Sequence, residues 1–172
     1  MTDLIHYTKG HLNRANNERK HKAWVNKKFN QGNSLFIPVW ENLNLIKNFG
    51  ETNGNYTTTM RPQAIMIKKE VISELLTLKN QPMLLGLQKD QAIFAIDFSN
   101  LQKSYIENLI NQGTFVDLRQ VGSHLRPKDA ALLAYARGLS HWHRENIYCS
   151  RCGTLSNLKE GGSMRLCTNK KC

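Results

Sequence analysis

Acidic residues are scarce in this sequence, and long apolar runs are missing. The 172 residues include 13 Asp and Glu against 24 Lys and Arg, which gives a formal net charge of +11. A transmembrane helix needs about 18 or more consecutive apolar residues, and no such run occurs. The N-terminus also lacks the basic patch and apolar core of a secretory signal. These absences predict a protein that stays out of membranes and works in the reducing cytoplasm.

Cysteine is absent until position 149, and all four cysteines lie in the last 24 residues. Disulfides therefore cannot hold the body of the chain, and a disulfide framework at its end would need an oxidising compartment. The residues before Cys149 must therefore be stabilised by a hydrophobic core, for which a hydrophobic content of 40% is sufficient.

The positive charge is concentrated at the two ends of the chain. Residues 1–30 and 137–172 each contain seven Lys and Arg against two acids, whereas the 106 residues between them contain ten against nine. Basic ends favour anionic partners, including nucleic acid and phosphorylated metabolites. A solvated, lysine-rich surface explains the same composition equally well.

Hydrophobic periodicity predicts short strands and helices, with no internal repeat. Pro38 favours an edge position or a bulge for the first strand, and the Thr- and Asn-rich stretch 48–61 is typical of an irregular excursion. Strands are expected at 34–40, 45–46, 64–67, 83–87, 92–96 and 114–118, the fourth and fifth forming a hairpin. Helices are expected at 20–30, 70–78 and 101–112.

The clearest helical pattern begins at Pro127 and ends near Asn146. Its apolar positions recur with helical spacing at Leu132, Tyr135, Ala136, Leu139 and Trp142. The predicted class is α+β: a mixed N-terminal domain with a small sheet and flanking helices, followed by a helix and a C-terminal zinc ribbon.

The cysteine spacing carries the zinc prediction. A Cys-x2-Cys pair and a Cys-x4-Cys pair are separated by fourteen residues, and Zn²⁺ prefers four tetrahedral ligands. Residues 160–163 can reverse the chain, so that 154–158 and 164–166 pair as a hairpin. This zinc-ribbon pattern predicts one structural Zn²⁺ per chain, bound by Cys149, Cys152, Cys167 and Cys172.

Other interpretations of this region are weaker. A redox Cys-x2-Cys motif would leave Cys167 and Cys172 unexplained, and four thiolates leave a catalytic zinc no position for water. His141 and His143 point about 200° apart on a helix, so they cannot share a metal. One of them is expected to hydrogen-bond the ribbon or the core.

The same region resembles a known family. The segment 130–144, which ends in Ser-His-Trp-His-Arg, runs into Tyr148-Cys-Ser-Arg-Cys-Gly153 and then Glu160-Gly-Gly162. It resembles the NADH pyrophosphatase (NAD diphosphatase) family of Nudix hydrolases. Further family-like segments follow the family's order at Leu12-Asn-Arg-Ala15, Ser34-Leu-Phe-Ile-Pro-Val-Trp40, Leu84-Leu-Gly-Leu87, Ala92-Ile-Phe-Ala-Ile-Asp97 and Phe115-Val-Asp-Leu-Arg119.

The resemblance implies an N-terminal domain, a zinc ribbon and a Nudix catalytic domain in a complete member. Such enzymes cleave NADH or NAD to nicotinamide mononucleotide and AMP, and bacterial members remove NAD caps from RNA. They use Mg²⁺ or Mn²⁺ and are commonly homodimers. In this sequence we expect the N-terminal α+β domain at 1–126, a connecting helix at 127–146 and the zinc ribbon at 147–172, with the four cysteines as the family's zinc ligands.

The Nudix box, Arg-Glu-x-x-Glu-Glu-x-Gly, is missing from the sequence. Its carboxylates would bind the divalent cations that polarise the pyrophosphate, and the four residues that follow Arg144-Glu145, Asn146 to Cys149, include no carboxylate. The sequence therefore resembles a truncated member, without catalytic or cofactor-binding residues and inactive alone. The alternative function is a stand-alone basic module that binds RNA or DNA through Arg144, Arg151, Arg165, Lys170 and Lys171, with Tyr148 or Trp142 for stacking.

Overall fold

The structure is a computed structural model that describes residues 6–8, 10–52, 55–57, 60–76, 80–109, 111 and 113–172. Its α-helices are Lys22–Phe29 (α1), Lys69–Ile72 (α2), Lys103–Leu109 (α3), Leu118–Val121 (α4) and Pro127–Glu145 (α5). Its strands are Leu35–Trp40 (β1), Leu43–Lys47 (β2), Gly50–Thr52 (β3), Asn55–Thr57 (β4), Gln63–Ala64 (β5), Ile67–Lys68 (β6), Met83–Gln88 (β7), Gln91–Asp97 (β8), Thr114–Asp117 (β9), Ser156–Lys159 (β10) and Met164–Cys167 (β11). Short 3-10 turns lie at His6–Thr8, Glu18–Lys20, Ser73–Leu75, Gly122–His124 and Glu160–Gly162.

A mixed sheet forms the centre of the fold. Strand β1 runs parallel to β8 and antiparallel to β2, and β7 closes a hairpin onto β8. Strand β9 pairs with β2 through the same Leu43 and Asn44 that β1 uses, so β9 and β1 lie on opposite sides of β2. Strands β1 and β2 pair only next to the turn that joins them. Away from that turn they separate, and β6 pairs with β1 while β5 pairs with β2. The confirmed class is α+β.

Each face of the sheet has its own buried cluster. Along β8, Ile93 and Ala95 face the cluster that contains α5, whereas Phe94 and Ile96 face the opposite cluster. This alternation follows from the two-residue period of a strand. Helix α1 adds Phe29, whose ring meets the rings of Phe36 and Phe94 at 5.6 and 5.9 Å between centroids. The body of the fold, by which we mean the described residues up to Glu145, therefore has helices on both sides of a sheet whose central residues are buried.

The edge position expected from Pro38 is wrong. Strand β1 lies inside the sheet, and Pro38 pairs with Ile96 of β8. On the other side of β1, pairing moves from β6 at Leu35 and Phe36 to β2 at Val39 and Trp40. Pro38 occupies the gap between those two partners, where the missing N–H of proline removes no ladder hydrogen bond.

Several expected elements are confirmed and others are changed. The hairpin of β7 and β8 and the long helix α5 form as predicted. The predicted strand at 64–67 is divided into β5 and β6, and the irregular excursion contains the small hairpin of β3 and β4. Parts of the predicted 48–61, 70–78 and 101–112 segments lie outside the described residues.

None of the helices that the structure describes combines the length and the apolar character needed to cross a bilayer.

Candidate metal centre

The first cysteine pair lies on a tight turn after α5. The Gly153 amide donates to the Cys149 carbonyl at 2.9 Å, and the Cys149 amide donates to the Thr154 carbonyl at 2.8 Å. Gly153 has a φ of 69°, which glycine adopts without steric cost. The turn thereby directs the side chains of Cys149 and Cys152 toward one point.

The second cysteine pair, Cys167 and Cys172, lies at and after the end of the hairpin formed by β10 and β11. Strands β10 and β11 pair antiparallel, with Ser156 opposite Cys167 and Lys159 opposite Met164. After β11 the chain turns again, because the Cys172 amide donates to the Asn169 carbonyl at 3.0 Å and the Asn169 amide donates to the Cys167 sulfur at 3.4 Å. The longer x4 spacing fits this turn.

The four sulfurs converge at one place. All four lie within 4.8 Å of one another, with Cys149 Sγ 3.8 Å from Cys172 Sγ and Cys152 Sγ 3.5 Å from Cys167 Sγ. These distances are far above a disulfide bond of about 2.05 Å. Sulfurs held about 2.3 Å from a central Zn²⁺ in a tetrahedron lie about 3.8 Å apart. The residues therefore fit a tetrahedral thiolate-bound metal.

The pKa values of the cysteine thiols differ across the cluster. Hydrogen bonds from the Thr154 hydroxyl and amide lower the pKa of Cys152 to about 6. Hydrogen bonds with the sulfurs of Cys152 and Cys149 raise the pKa of Cys172 to about 12. Without a cation, neighbouring thiolates repel one another, so the cluster retains protons that a divalent metal ion would displace.

His143 of α5 forms hydrogen bonds with the hairpin of β10 and β11, and it is not one of the clustered metal-ligand candidates. Its Nε2 lies 2.7 Å from the Gly162 carbonyl oxygen, and its Nδ1 lies 3.0 Å from the guanidinium of Arg165. Since arginine only donates, the ring is neutral and carries its proton on Nε2. Burial lowers the pKa of His143, and Arg165 lowers it further. The other histidine, His141, is exposed and lies 4.0 Å from Glu145.

The tip of the hairpin also packs against the body. At Gly162, a Cβ would lie 2.9 Å from Met83 Cβ and 3.1 Å from its Cα, and the φ of Gly162 is 94°. At Gly161, a Cβ would lie 3.2 Å from Leu84 and 3.4 Å from Val25. The two glycines thus permit a close approach to β7 and α1. Sequence reasoning missed this role, although the Gly-Gly pair was its available signal.

The arginines expected to bind nucleic acid have partners inside the protein. Arg144 forms an ion pair with Asp97 and hydrogen-bonds Asn42. Arg165 donates to Ser156 as well as to His143, and Arg151 donates to the Cys172 carbonyl at 3.2 Å. Lys170 and Lys171, the lysines of that expectation, are exposed.

Comparison with known proteins places the body in a family. Residues 33–142 match the NUDIX-like family described as the NADH pyrophosphatase-like rudimentary NUDIX domain. The chain belongs to this family. The match begins just before β1 and ends within α5, ahead of the cysteine cluster. The mixed N-terminal domain expected from the sequence is therefore itself NUDIX-like, which the missing Nudix box had concealed.

Curated relatives match over shorter stretches. The human mitochondrial NAD(P)H pyrophosphatase NUDT13 is 33% identical over 95 residues, which are 49% of this chain and 27% of the relative. The NAD-capped RNA hydrolases NUDT12 of human and Macaca fascicularis are 38% and 35% identical over 48 residues, which are 28% of this chain and 10% of each relative. The chain thus covers about a quarter or less of the length of these relatives.

Proposed function

We propose that this chain is the N-terminal and zinc-ribbon portion of an NAD(H) pyrophosphatase. The observation that carries the proposal is the convergence of four cysteine sulfurs directly after a family-matched rudimentary NUDIX domain. The family reaction would convert NADH or NAD and water to nicotinamide mononucleotide and AMP, or remove an NAD cap from RNA. Two relatives are named for NAD(P)H pyrophosphatase and NAD-capped RNA hydrolase activity, which supports this substrate class.

Zn²⁺ bound by Cys149, Cys152, Cys167 and Cys172 would stabilise the ribbon. Four thiolates complete the coordination of zinc and leave no position for a reacting water. The role of the metal is therefore structural, and the 172 residues alone are inactive on NADH because they carry no Nudix box. The Mg²⁺ or Mn²⁺ of the family reaction would bind only in a complete member.

The proposed organisation has three parts. The domain of residues 1–126 is joined by the helix at 127–146 to the ribbon at 147–172. The contacts of His143 and Gly162 support a ribbon that is fixed to the body. Assembly as a homodimer belongs to the same proposal. The free thiols suit a reducing compartment, either the cytoplasm or, as for the relative named mitochondrial, the mitochondrial interior.

Cobalt substitution tests the metal centre. The protein is refolded with Co²⁺ in place of Zn²⁺, and its absorption spectrum is recorded. Four-thiolate coordination predicts intense sulfur-to-cobalt charge-transfer bands and the visible bands of tetrahedral Co²⁺, at one cobalt per chain. Bands of an octahedral, oxygen-bound ion would contradict the proposed ligands.

An activity assay tests the proposal that the 172 residues alone are inactive. The purified chain is incubated with NADH and with NAD-capped RNA in the presence of Mg²⁺ or Mn²⁺. We expect no release of AMP or of nicotinamide mononucleotide. Turnover at these conditions would overturn the claim that the 172 residues are inactive alone, while leaving the cobalt result intact.

A further inference from the structure

The hairpin of β10 and β11 has one covered face and one uncovered face. Side chains along both strands alternate between half-buried and exposed positions. On the covered side, Leu158 packs against the core cluster of α5, and Arg165 binds His143. The alternate residues are exposed to solvent.

Large apolar side chains collect on the uncovered side. Tyr148 forms an antiparallel bridge with Leu155, and Leu166 pairs with Asn157, two residues beyond Leu155. Because paired residues and every second residue of a strand share a face, these side chains lie together. Leu155 is 53% exposed, Leu166 is 50% exposed and Tyr148 is 64% exposed. We call this surface the outer hairpin face, and it comprises Tyr148, Leu155, Met164 and Leu166.

The outer hairpin face adjoins a large cavity. This cavity has a volume of about 780 Å³ and runs between the hairpin and the body. Leu155 belongs both to its wall and to the outer hairpin face, and the half-exposed Ile147 adds to its apolar lining. Isolated exposed apolar residues are ordinary, but a contiguous group beside a cavity is typical of an interaction surface.

The charge around this face defines the chemistry of its partner. Residues 147–172 contain five Lys and Arg and the single acid Glu160. Lys159 lies on the same side of the hairpin as Met164, its paired residue, while Lys170 and Lys171 are exposed near the cysteine cluster. Four thiolates on one Zn²⁺ would still leave this segment positive. Apolar side chains beside Lys159, with Lys170 and Lys171 exposed in the turn that follows β11, are complementary to an apolar segment flanked by carboxylates.

The side-chain types favour protein over nucleic acid. Three of the four large residues on the outer hairpin face are aliphatic and offer no ring for base stacking. Arg144 and Arg165, which would pair best with phosphates, are already bound to Asp97 and His143. Aliphatic side chains instead match the leucine-like side chains of a protein segment.

We propose that the outer hairpin face is a docking surface for an acidic, leucine-bearing protein segment. The bound segment lies extended across the hairpin, its apolar side chains cover Leu155 and Leu166, and its carboxylates face Lys159 and the C-terminal lysines. This inference goes beyond the proposed function, since it requires only that the hairpin is folded and assigns no chemistry to it.

A peptide titration followed by NMR tests the docking surface on the full chain. The probe is a capped nine-residue peptide that alternates leucine and glutamate, and the matched peptide replaces every glutamate with lysine. The acidic peptide is expected to shift amides of the outer hairpin face, with a Kd below about 1 mM that rises with salt. The basic peptide is expected to produce no such shifts.

Substitutions on the outer hairpin face test whether the peptide binds there. A chain carrying both Leu155→Ser and Leu166→Ser should lose about tenfold or more in affinity for the acidic peptide, with unchanged spectra for the body. The control Tyr105→Ser removes an equally exposed large side chain from α3 and should leave the affinity unchanged.

Four results would overturn the proposal. They are no binding of the acidic peptide at millimolar concentration, equal binding of the basic peptide, tighter binding of a single-stranded RNA oligomer at the same amides, and self-association of the chain that the double variant abolishes. The last two would assign the surface to nucleic acid or to a second copy of the chain.

Discussion

The body of the molecule and its C-terminal hairpin are stabilised by different means. In the body, large side chains such as Phe36, Phe94 and Leu133 are completely buried on the two faces of the sheet. In β10 and β11, by contrast, no large apolar side chain is fully buried, and Leu166 is half exposed. Hydrophobic burial therefore stabilises the body, whereas we expect the hairpin to depend on its cysteine cluster and on the contacts at its tip.

Removing a cysteine should produce the largest effect and confine it to the hairpin. Cys152→Ser removes one of the four proposed ligands, and structural Zn²⁺ supplies of order 10 kcal/mol to small metal-bound folds. We expect loss of metal and unfolding of residues 147–172 while the body remains folded, measured by metal content and amide NMR. Ser150→Ala, in the same turn, is the control and should keep the metal. Retention of metal and hairpin by Cys152→Ser would show that the cluster does not hold this region.

Truncating a core side chain should destabilise the body of the molecule and not only the hairpin. Phe94 stacks on Phe36 at 5.5 Å between centroids and is fully buried. Phe94→Ala removes this packing and should lower the free energy of unfolding of the body by about 3–5 kcal/mol. The measurement is denaturant unfolding followed by far-ultraviolet circular dichroism. A loss under about 1 kcal/mol would mean that the sheet is not stabilised by burial in the way described.

Two glycine substitutions test the contact between the hairpin and the body. Gly162→Ala places a methyl group 2.9 Å from Met83 at a φ of 94°, so it should destabilise the docked hairpin by about 1–3 kcal/mol. The control Gly138→Ala lies in α5, where nothing comes within 4 Å of the added Cβ. It should stabilise α5 by about 1 kcal/mol. Thermal melts of both variants test the pair, and effects of the same sign would contradict the assigned contact.

The smallest expected effect is the pH dependence carried by His143. Burial lowers its pKa in the folded protein below the ordinary value of 6.5. The unfolded chain therefore binds more protons than the folded one below about pH 6.5, so stability decreases as the pH falls through that value. The melting temperature of the native protein should exceed that of His143→Asn by more at pH 7.5 than at pH 5.5. A difference that is larger at pH 5.5 would contradict a neutral, clamped His143.

Elements with strong local patterns could be predicted from the sequence. Helix α5 follows from Pro127 and the spacing of apolar residues, and the hairpin of β7 and β8 follows from two apolar runs around a short polar turn. The convergence of the cysteines follows from their spacing, because two tight turns and one hairpin suffice to bring the sulfurs together.

Features set by tertiary context could not be predicted. The interior position of Pro38 depends on β1 changing partners from β6 to β2, which no local pattern indicates. Helical spacing correctly predicts that Leu132, Tyr135, Ala136 and Leu139 pack against the core. It also places Trp142 on that face, but Trp142 is 38% exposed, whereas His143 is buried. His143 is covered by the distant hairpin residues Gly162 and Arg165, which helical spacing does not indicate.

Zinc content combined with local unfolding tests whether a metal bound by the four cysteines holds the hairpin in place. Metal is measured by elemental analysis on the purified chain, and amide spectra are recorded before and after addition of a chelator. We predict one zinc per chain and, after chelation, loss of the signals of residues 147–172 while those of the sheet and α5 persist. A metal-free chain with an ordered hairpin, or collapse of the whole molecule on chelation, would contradict it.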